Sequence, residues 1–163
     1  MMIGAISDTH DRLDAVNKAI DFLNSQEVTD VLHAGDLVSP FVVPLFSKLK
    51  AKLHYVWGNN EGDHDYIRVR FADIGVRPLG DFATLQLGGK KIALLHGTHQ
   101  EVVDSLVKSG AYDVVVRGHS HRAEIFEGKA LLVNPGEVCG YLSGRQTVAL
   151  IDLDKMHAQI VEL

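Results

Sequence analysis

Two short blocks carry paired donors at alternate positions: Asp8-Thr9-His10 near the start of the chain and His119-Ser120-His121 towards its end. On extended backbone, residues two apart point to the same side, so each block presents two ligand atoms together. Asp36, Asn59 and His96 stand singly between them, each beside a glycine: Gly35, Gly58 and Gly97. Carboxylate, amide oxygen and imidazole in one set suit divalent transition metals, with manganese the first expectation and nickel, cobalt, iron or zinc also accepted. Seven donors exceed the four of a tetrahedral zinc site, and with one bridging carboxylate they suffice for two ions. Asp36, alone on its segment and central in chain order, is the expected bridge. Two metals about 3.5–4 Å apart serve in-line displacement at phosphorus, where they acidify a water and clamp the phosphoryl oxygens.

These donors need elements that bring them together. Met2–Ile6, Thr29–Ala34 and Leu53–Trp57 read as short buried strands, and each runs into a donor block. Between the first two, Leu13, Val16, Ile20 and Leu23 recur at helical spacing and are expected in the core, with Asp11 as the helix cap. Pro40 and Pro44 frame a short helical piece through Phe46 and Leu49. This rhythm predicts right-handed crossovers and a largely parallel sheet. In the second half, Phe82–Leu87 and Lys90–Leu95 flank Gly88-Gly89, a hairpin signal. A helix over Gln100–Lys108, closed near Gly110, leads to a strand at Val114–Val116 that stops at Gly118. Glu124–Phe126 and Leu131–Val133 form a second hairpin, and Val148–Ile151 and Ala158–Val161 are closing strands. Ligands of open α/β sheets bind at the carboxyl ends of strands, so the donor blocks are expected to converge in one crevice. The reading is a mixed α/β fold in one domain spanning residues 1–163.

The 16 basic and 21 acidic residues leave a formal charge of -5, which disfavours a nucleic acid polymer or an anionic membrane as partner. No apolar run reaches the length of a membrane span and the N-terminus lacks a signal pattern, so the expected location is the cytoplasm. The single cysteine, Cys139, reads as buried, inert packing. Of nine histidines, four fall in the donor blocks. His33 is expected to be buried with a backbone partner, and His54, His64 and His157 to lie on the surface. Glu61 and Asp63 read as acids of a solvated loop. Arg12 and Arg117, close to donor blocks, could reach a phosphate.

In order, Ser7-Asp8-Thr9-His10, Gly35-Asp36, Gly58-Asn59-Asn60, His96-Gly97 and Gly118-His119-Ser120-His121 resemble the five-block signature of the calcineurin-like metallophosphoesterase superfamily. Within it the chain is similar to the small YfcE-type phosphodiesterase branch of archaea and bacteria, and Asn134-Pro135-Gly136 matches a further block of that branch. The resemblance implies a four-layer α/β/β/α sandwich of two mixed sheets with a dinuclear site above the strand ends. It implies Asp8, His10 and His121 on one metal, Asn59, His96 and His119 on the other, and Asp36 between them. It also implies hydrolysis of a small soluble phosphodiester by a hydroxide bridging the metals, a rim formed by the glycine-rich stretch from Asn134 to Gly144, and pairing of copies as a homodimer.

The sequence departs from the pattern at Asn60, where many members of the superfamily have a histidine that protonates the leaving oxygen. An amide can donate a hydrogen bond but cannot deliver a proton. A general acid contributes about 10²–10⁴-fold, so its loss favours diesters whose leaving groups need little protonation. His99 or a water is then expected to assist the leaving group, and Asn60, His99 and Arg12 to contact substrate. Phosphomonoesterase activity on small monoesters is the alternative, as is a protein-interaction scaffold like the retromer subunit of similar fold.

Overall fold

Alternation within single strands divides the apolar residues among three cores. On β1 (Met2–Ile6), Ile3 and Ala5 point to one side and Ile6 to the other; on β6 (Val114–Val116), Val115 points away from its two neighbours. Both strands are therefore apolar throughout, as burial on two faces requires. The computed structural model describes residues 1–163 and arranges ten strands in two sheets.

In the first sheet, β1, β2 (Asp30–His33) and β3 (Lys52–Tyr55) run parallel, with Gly4 opposite Val31 and Val31 opposite Leu53. β9 (Thr147–Asp152) and β10 (His157–Glu162) extend it antiparallel beyond β1. In the second sheet, β5 (Lys90–Leu95), β6 and β8 (Leu131–Pro135) are parallel, flanked by the antiparallel edge strands β4 (Phe82–Leu87) and β7 (Ala123–Glu127). Gly88 and Gly89 both take positive φ, the backbone a two-residue hairpin turn demands.

The central core sets Ile3, Leu32 and Val56 of one sheet side against Ile92, Leu94 and Val133 of the other. Outside the first sheet, Val16, Ile20 and Leu23 of α1 (Leu13–Ser25) and Ile67 and Phe71 of α2 (His64–Asp73) pack on Ile6, Val31 and Tyr55. Outside the second, Val103 and Val107 of α3 (Gln100–Ser109) pack on Leu95, Val115 and Leu132. Burying each such side chain stabilises by about 1.5–3 kcal/mol. Three cores between layers make the expected four-layer sandwich of two mixed sheets.

The structure corrects several local expectations. Asp11 is not the cap of α1: Arg12 occupies that position with no side-chain cap, and Asp11 Oδ1 instead accepts the N–H of Ser39 at 2.9 Å. Leu13 is 47% exposed rather than core; the buried face of α1 starts at Ala15 and Val16. The piece after Pro40 is a 3₁₀ helix, Val43–Lys48. α2 escapes the periodicity because only Ile67 and Phe71 face inward, although Asp63 caps it by accepting the N–H of Tyr66. His54 is buried, not on the surface, and its Nε2 lies 2.7 Å from Asp30 Oδ1 on the neighbouring strand.

Candidate metal centre

The backbone of the crevice is shaped before any side chain is considered. The loop after β1 is laced to the loop after β2, with the N–H groups of Asp8, Thr9 and Asp11 donating to the carbonyls of Gly35, Asp36 and Leu37. Two glycines make the closest approaches. A Cβ on Gly58 would lie 2.1 Å from Asp36 Oδ1, and one on Gly118 would lie 1.8 Å from Ser7 Oγ. No other residue fits at either point without parting the strand ends. Asp8, His10, Asp36, His119 and His121 all take positive φ, between +39° and +68°. Left-handed backbone at a non-glycine residue costs about 1–3 kcal/mol and is held only where the surroundings enforce it.

That backbone aims the donors inward. One ligand atom each from Asp8, His10, Asp36 and His121 lies within 4.8 Å of the other three. Beside this group, His96 Nε2 is 3.3 Å from Asp36 Oδ1 and 3.3 Å from His119 Nδ1, which is itself 2.8 Å from Asn59 Oδ1. All seven donors predicted from the sequence thus meet in one crevice, with Asp36 between the two groups: its Oδ2 faces His10 at 3.4 Å and its Oδ1 faces His96. Asp8, Asp36 and His96 are buried, while Asn59 is exposed.

Hydrogen bonds fix which ring nitrogens face the crevice. His96 Nδ1 donates to the carbonyl of Ala34 at 2.7 Å, which turns Nε2 towards Asp36 and His119. His121 Nδ1 donates to Glu137 Oε2 at 2.6 Å, with its Nε2 3.4 Å from Asp8 Oδ1. His33 is buried as expected: its Nδ1 accepts the N–H of Gly35 at 3.1 Å, and burial pushes its pKa down to about 3.

Two buried polar atoms in the crevice, Asp8 Oδ1 and His10 Nε2, have no hydrogen-bond partner. Such atoms are costly unless something occupies the space between them. A cation fits the donor chemistry: oxygens and imidazole nitrogens, with free lone pairs turned inward. The charges agree. Asp36 and Asp8 push the His10 pKa up to about 9 against the lowering effect of burial. Burial would raise the Asp36 carboxyl, but His10 and His96 hold it well below the usual carboxylate range.

Two carboxylates outside the donor set organise the crevice. Glu61, expected in a solvated loop, accepts the N–H groups of Asp36, Leu37, Val38 and Gly58 at 2.8 Å each and the Tyr55 hydroxyl at 2.6 Å. Glu137, which sequence reasoning passed over, is fully buried and accepts from His121, Cys139 and three successive backbone N–H groups. Burial raises the Glu137 pKa, but bonds from His121, Ser143 and Cys139 outweigh it and bring it down to about 2. Their sequence signal is faint: Glu61 two residues after Asn59, Glu137 directly after Asn134-Pro135-Gly136. Cys139 is buried as expected, and burial pushes its thiol up to about 12.

The other predicted residues border the crevice. Asn60 is exposed; its N–H and its Nδ2 donate to Asp36 Oδ1 and Oδ2 at 2.8 and 2.9 Å. His99, at the start of α3, is exposed and lines a cavity of about 220 Å³ with Trp57, Asn59, His96 and Val102. Arg12 is half-buried, donating through Nη1 to the carbonyl of Cys139 and lying over the Tyr141 ring. Arg117 is buried beneath the crevice, where Nη2 donates to the carbonyl of Gly97 and Nε is unpaired.

Two sheets packed face to face, with hard and imidazole donors gathered at one set of strand ends, make the framework of a metallophosphoesterase. The chain belongs to the calcineurin-like phosphoesterase superfamily, whose domain matches residues 1–156. It is similar to phosphodiesterase MJ0936 of Methanocaldococcus jannaschii, 40% identical over 158 residues that cover 95% of each chain. A solved structure described as a novel archaeal phosphodiesterase superposes with a TM-score of 0.95 at 39% identity, covering all of both chains. Yfce, a phosphoesterase from E. coli, shares the fold at a TM-score of 0.72 and 18% identity, over 100% of neither but 99% of this chain and 98% of its own. The protein is a phosphoric ester hydrolase.

Proposed function

We propose that the protein is a phosphodiesterase that hydrolyses a small soluble phosphodiester with two divalent transition metals, manganese first among them. The observation that carries this reading is the pair of buried, partnerless atoms, Asp8 Oδ1 and His10 Nε2, aimed into a crevice lined by five further donors. Asp8, His10 and His121 would hold one ion, Asn59, His96 and His119 the other, and Asp36 both. When bound, the ions would supply Lewis acidity towards the phosphoryl oxygens and an acidified water at neutral pH.

The chain's own residues do the rest. Asp36 spans the two donor groups and is itself held by the N–H and side-chain amide of Asn60. The second hydrogen on Asn60 Nδ2 is left for a phosphoryl oxygen. Asn60 cannot protonate a departing oxygen, so substrates with a stable leaving group are favoured over those that need an acid. His99, on the cavity wall beside Asn59 and His96, stands where a departing group could take a hydrogen bond. Arg12, fixed at the rim, offers charge to a phosphate that enters from that side. The acidic balance of the chain and the absence of any helix long and apolar enough to cross a membrane accord with a small substrate met in the cytoplasm.

The test pairs elemental analysis with turnover of bis-aryl and mono-aryl phosphates. The expected result is up to two equivalents of metal and faster diester hydrolysis. Equal or reversed rates would sink the diester preference, and a protein that takes up no divalent ion would sink the metal site.

A further inference from the structure

The mechanism above makes no use of Glu137, although, like Glu61, it accepts hydrogen bonds from five donors. Its Oε2 accepts from His121 Nδ1 at 2.6 Å, from Cys139 Sγ at 3.1 Å and from the N–H of Tyr141 at 3.1 Å. Its Oε1 accepts from the N–H groups of Leu142, at 3.0 Å, and Ser143. These donors come from two places. His121 belongs to the loop after β6 and carries one of the seven candidate ligand atoms. Tyr141, Leu142 and Ser143 form an exposed rim segment, in which Tyr141 and Leu142 are 59% and 75% exposed.

His121, Glu137 and Cys139 have the composition of a further metal site. The hydrogen bonds argue against one. Both carboxylate oxygens are filled by donors, the thiol points its hydrogen at Oε2, and His121 presents N–H rather than a lone pair on that side. Glu137 is therefore turned away from any ion and towards the protein.

We propose that Glu137 is a positioning residue that locks His121 in the Nδ1–H form, with Nε2 facing Asp8, and clamps the 141–143 rim with the same carboxylate. One buried anion thus couples the holding of a single ion, the one assigned to Asp8, His10 and His121, to the order of the rim beside it. The rim is already joined to that side of the crevice: Cys139 N–H donates to the carbonyl of Asp8 at 3.1 Å, and Arg12 donates to the carbonyl of Cys139 at 2.6 Å. The His96 side has its own support, the carbonyl of Ala34, and is independent of Glu137.

The inference rests on the two-ion reading, and the experiment separates the two. Wild-type and Glu137→Gln proteins are stripped of metal, shown to be folded by thermal melting, and titrated with Mn²⁺ against a chelator. Carboxylates that orient a metal-bound histidine are worth about 10–100-fold in affinity. One of the two manganese equivalents should weaken by about that factor while the other holds. Chymotrypsin should cleave the variant after Tyr141 and leave the wild type intact there. A folded variant that keeps both equivalents within about twofold, loses both alike, or keeps a protected rim would overturn the coupling. His121→Ala should weaken the same equivalent yet leave the rim protected, because Glu137 still holds its backbone donors; a cleaved rim would count against the clamp. Nitrogen-15 spectra of the metal-free wild type need no variant and should show His121 as the Nδ1–H tautomer. The opposite tautomer would refute the lock. A wild type that binds no manganese yet shows that tautomer would remove the two-ion reading and leave the clamp standing.

Discussion

The two sheets bring different chemistry to the same crevice. The first sheet ends in oxygen donors, Asp8, Asp36 and Asn59, with His10 alone supplying nitrogen; the second ends only in imidazoles, His96, His119 and His121. Each side also has one carboxylate that gathers loop N–H groups, Glu61 on the first and Glu137 on the second. Their duties differ. Glu61 holds the backbone on which Asp36 stands, so it supports the residue common to both donor groups. Glu137 holds a single ring and the rim beside it. The two carboxylates of the donor set both stand on the first side, where Asp36 and Asp8 face His10 and push its pKa up to about 9.

The sharpest way to break this contrast is at its centre. Asp36→Asn should abolish uptake of both ions and lower diester turnover by about 10³-fold or more, read by elemental analysis and a bis-aryl phosphate assay. Loss of one ion only would contradict its shared role. Next in size, Glu61→Ala should cost about 3–5 kcal/mol in urea unfolding, since four backbone N–H groups and a hydroxyl lose their acceptor together. Filling the crevice should work in the opposite sense. Manganese at about a thousand times its dissociation constant should add about 4 kcal/mol per ion, or on the order of 10 °C in Tm, because the ions tie one sheet to the other.

Protons should compete with metal chiefly at His10. Its folded pKa, about 9, lies above its ordinary 6.5. In the metal-free protein its stabilising contribution is therefore complete below about pH 6.5 and disappears as pH rises through about 9. Metal affinity should move the other way, rising by up to about tenfold per pH unit until about 9, with proton release visible by calorimetry in buffers of different ionisation enthalpy. An affinity flat between about pH 6.5 and 9 would show that His10 is not a ligand. The smallest effect is expected at Asn60→His, which should raise the monoester-to-diester ratio by about tenfold if leaving-group protonation is what the first sheet's rim lacks. An unchanged ratio would rule that explanation out.

The donors were readable in the chain because each lies where an apolar strand stops, and strands buried on both faces are conspicuous. The hairpin at Gly88-Gly89 was readable for a local reason too, its pair of left-handed residues. What stayed hidden depends on distant partners. Glu61 looks like any acid in a polar loop until the chain folds four N–H groups around it. Glu137 sits among glycines and gains its partners from its own 139–143 segment and from His121, which is distant in sequence. His54 lies inside the apolar Leu53–Trp57 run, but the partner that lets it be buried, Asp30, meets it only across the β2–β3 pairing. α2 has two inward residues and a cap, too little for periodicity to register. Local pattern thus announced where the chemistry is, while the scaffolding that steadies it is a property of the fold.

The left-handed backbone at five of the seven donors has a consequence for how the site can change over evolutionary time. Asparagine, aspartate and histidine are the non-glycine residues that tolerate this conformation best, and they are also the donors found here. A drift towards thiolate or glutamate ligands would have to satisfy the ion and the bent chain at once. The crevice therefore has a short alphabet, one in which torsion angles restrict the side chains as much as donor chemistry does.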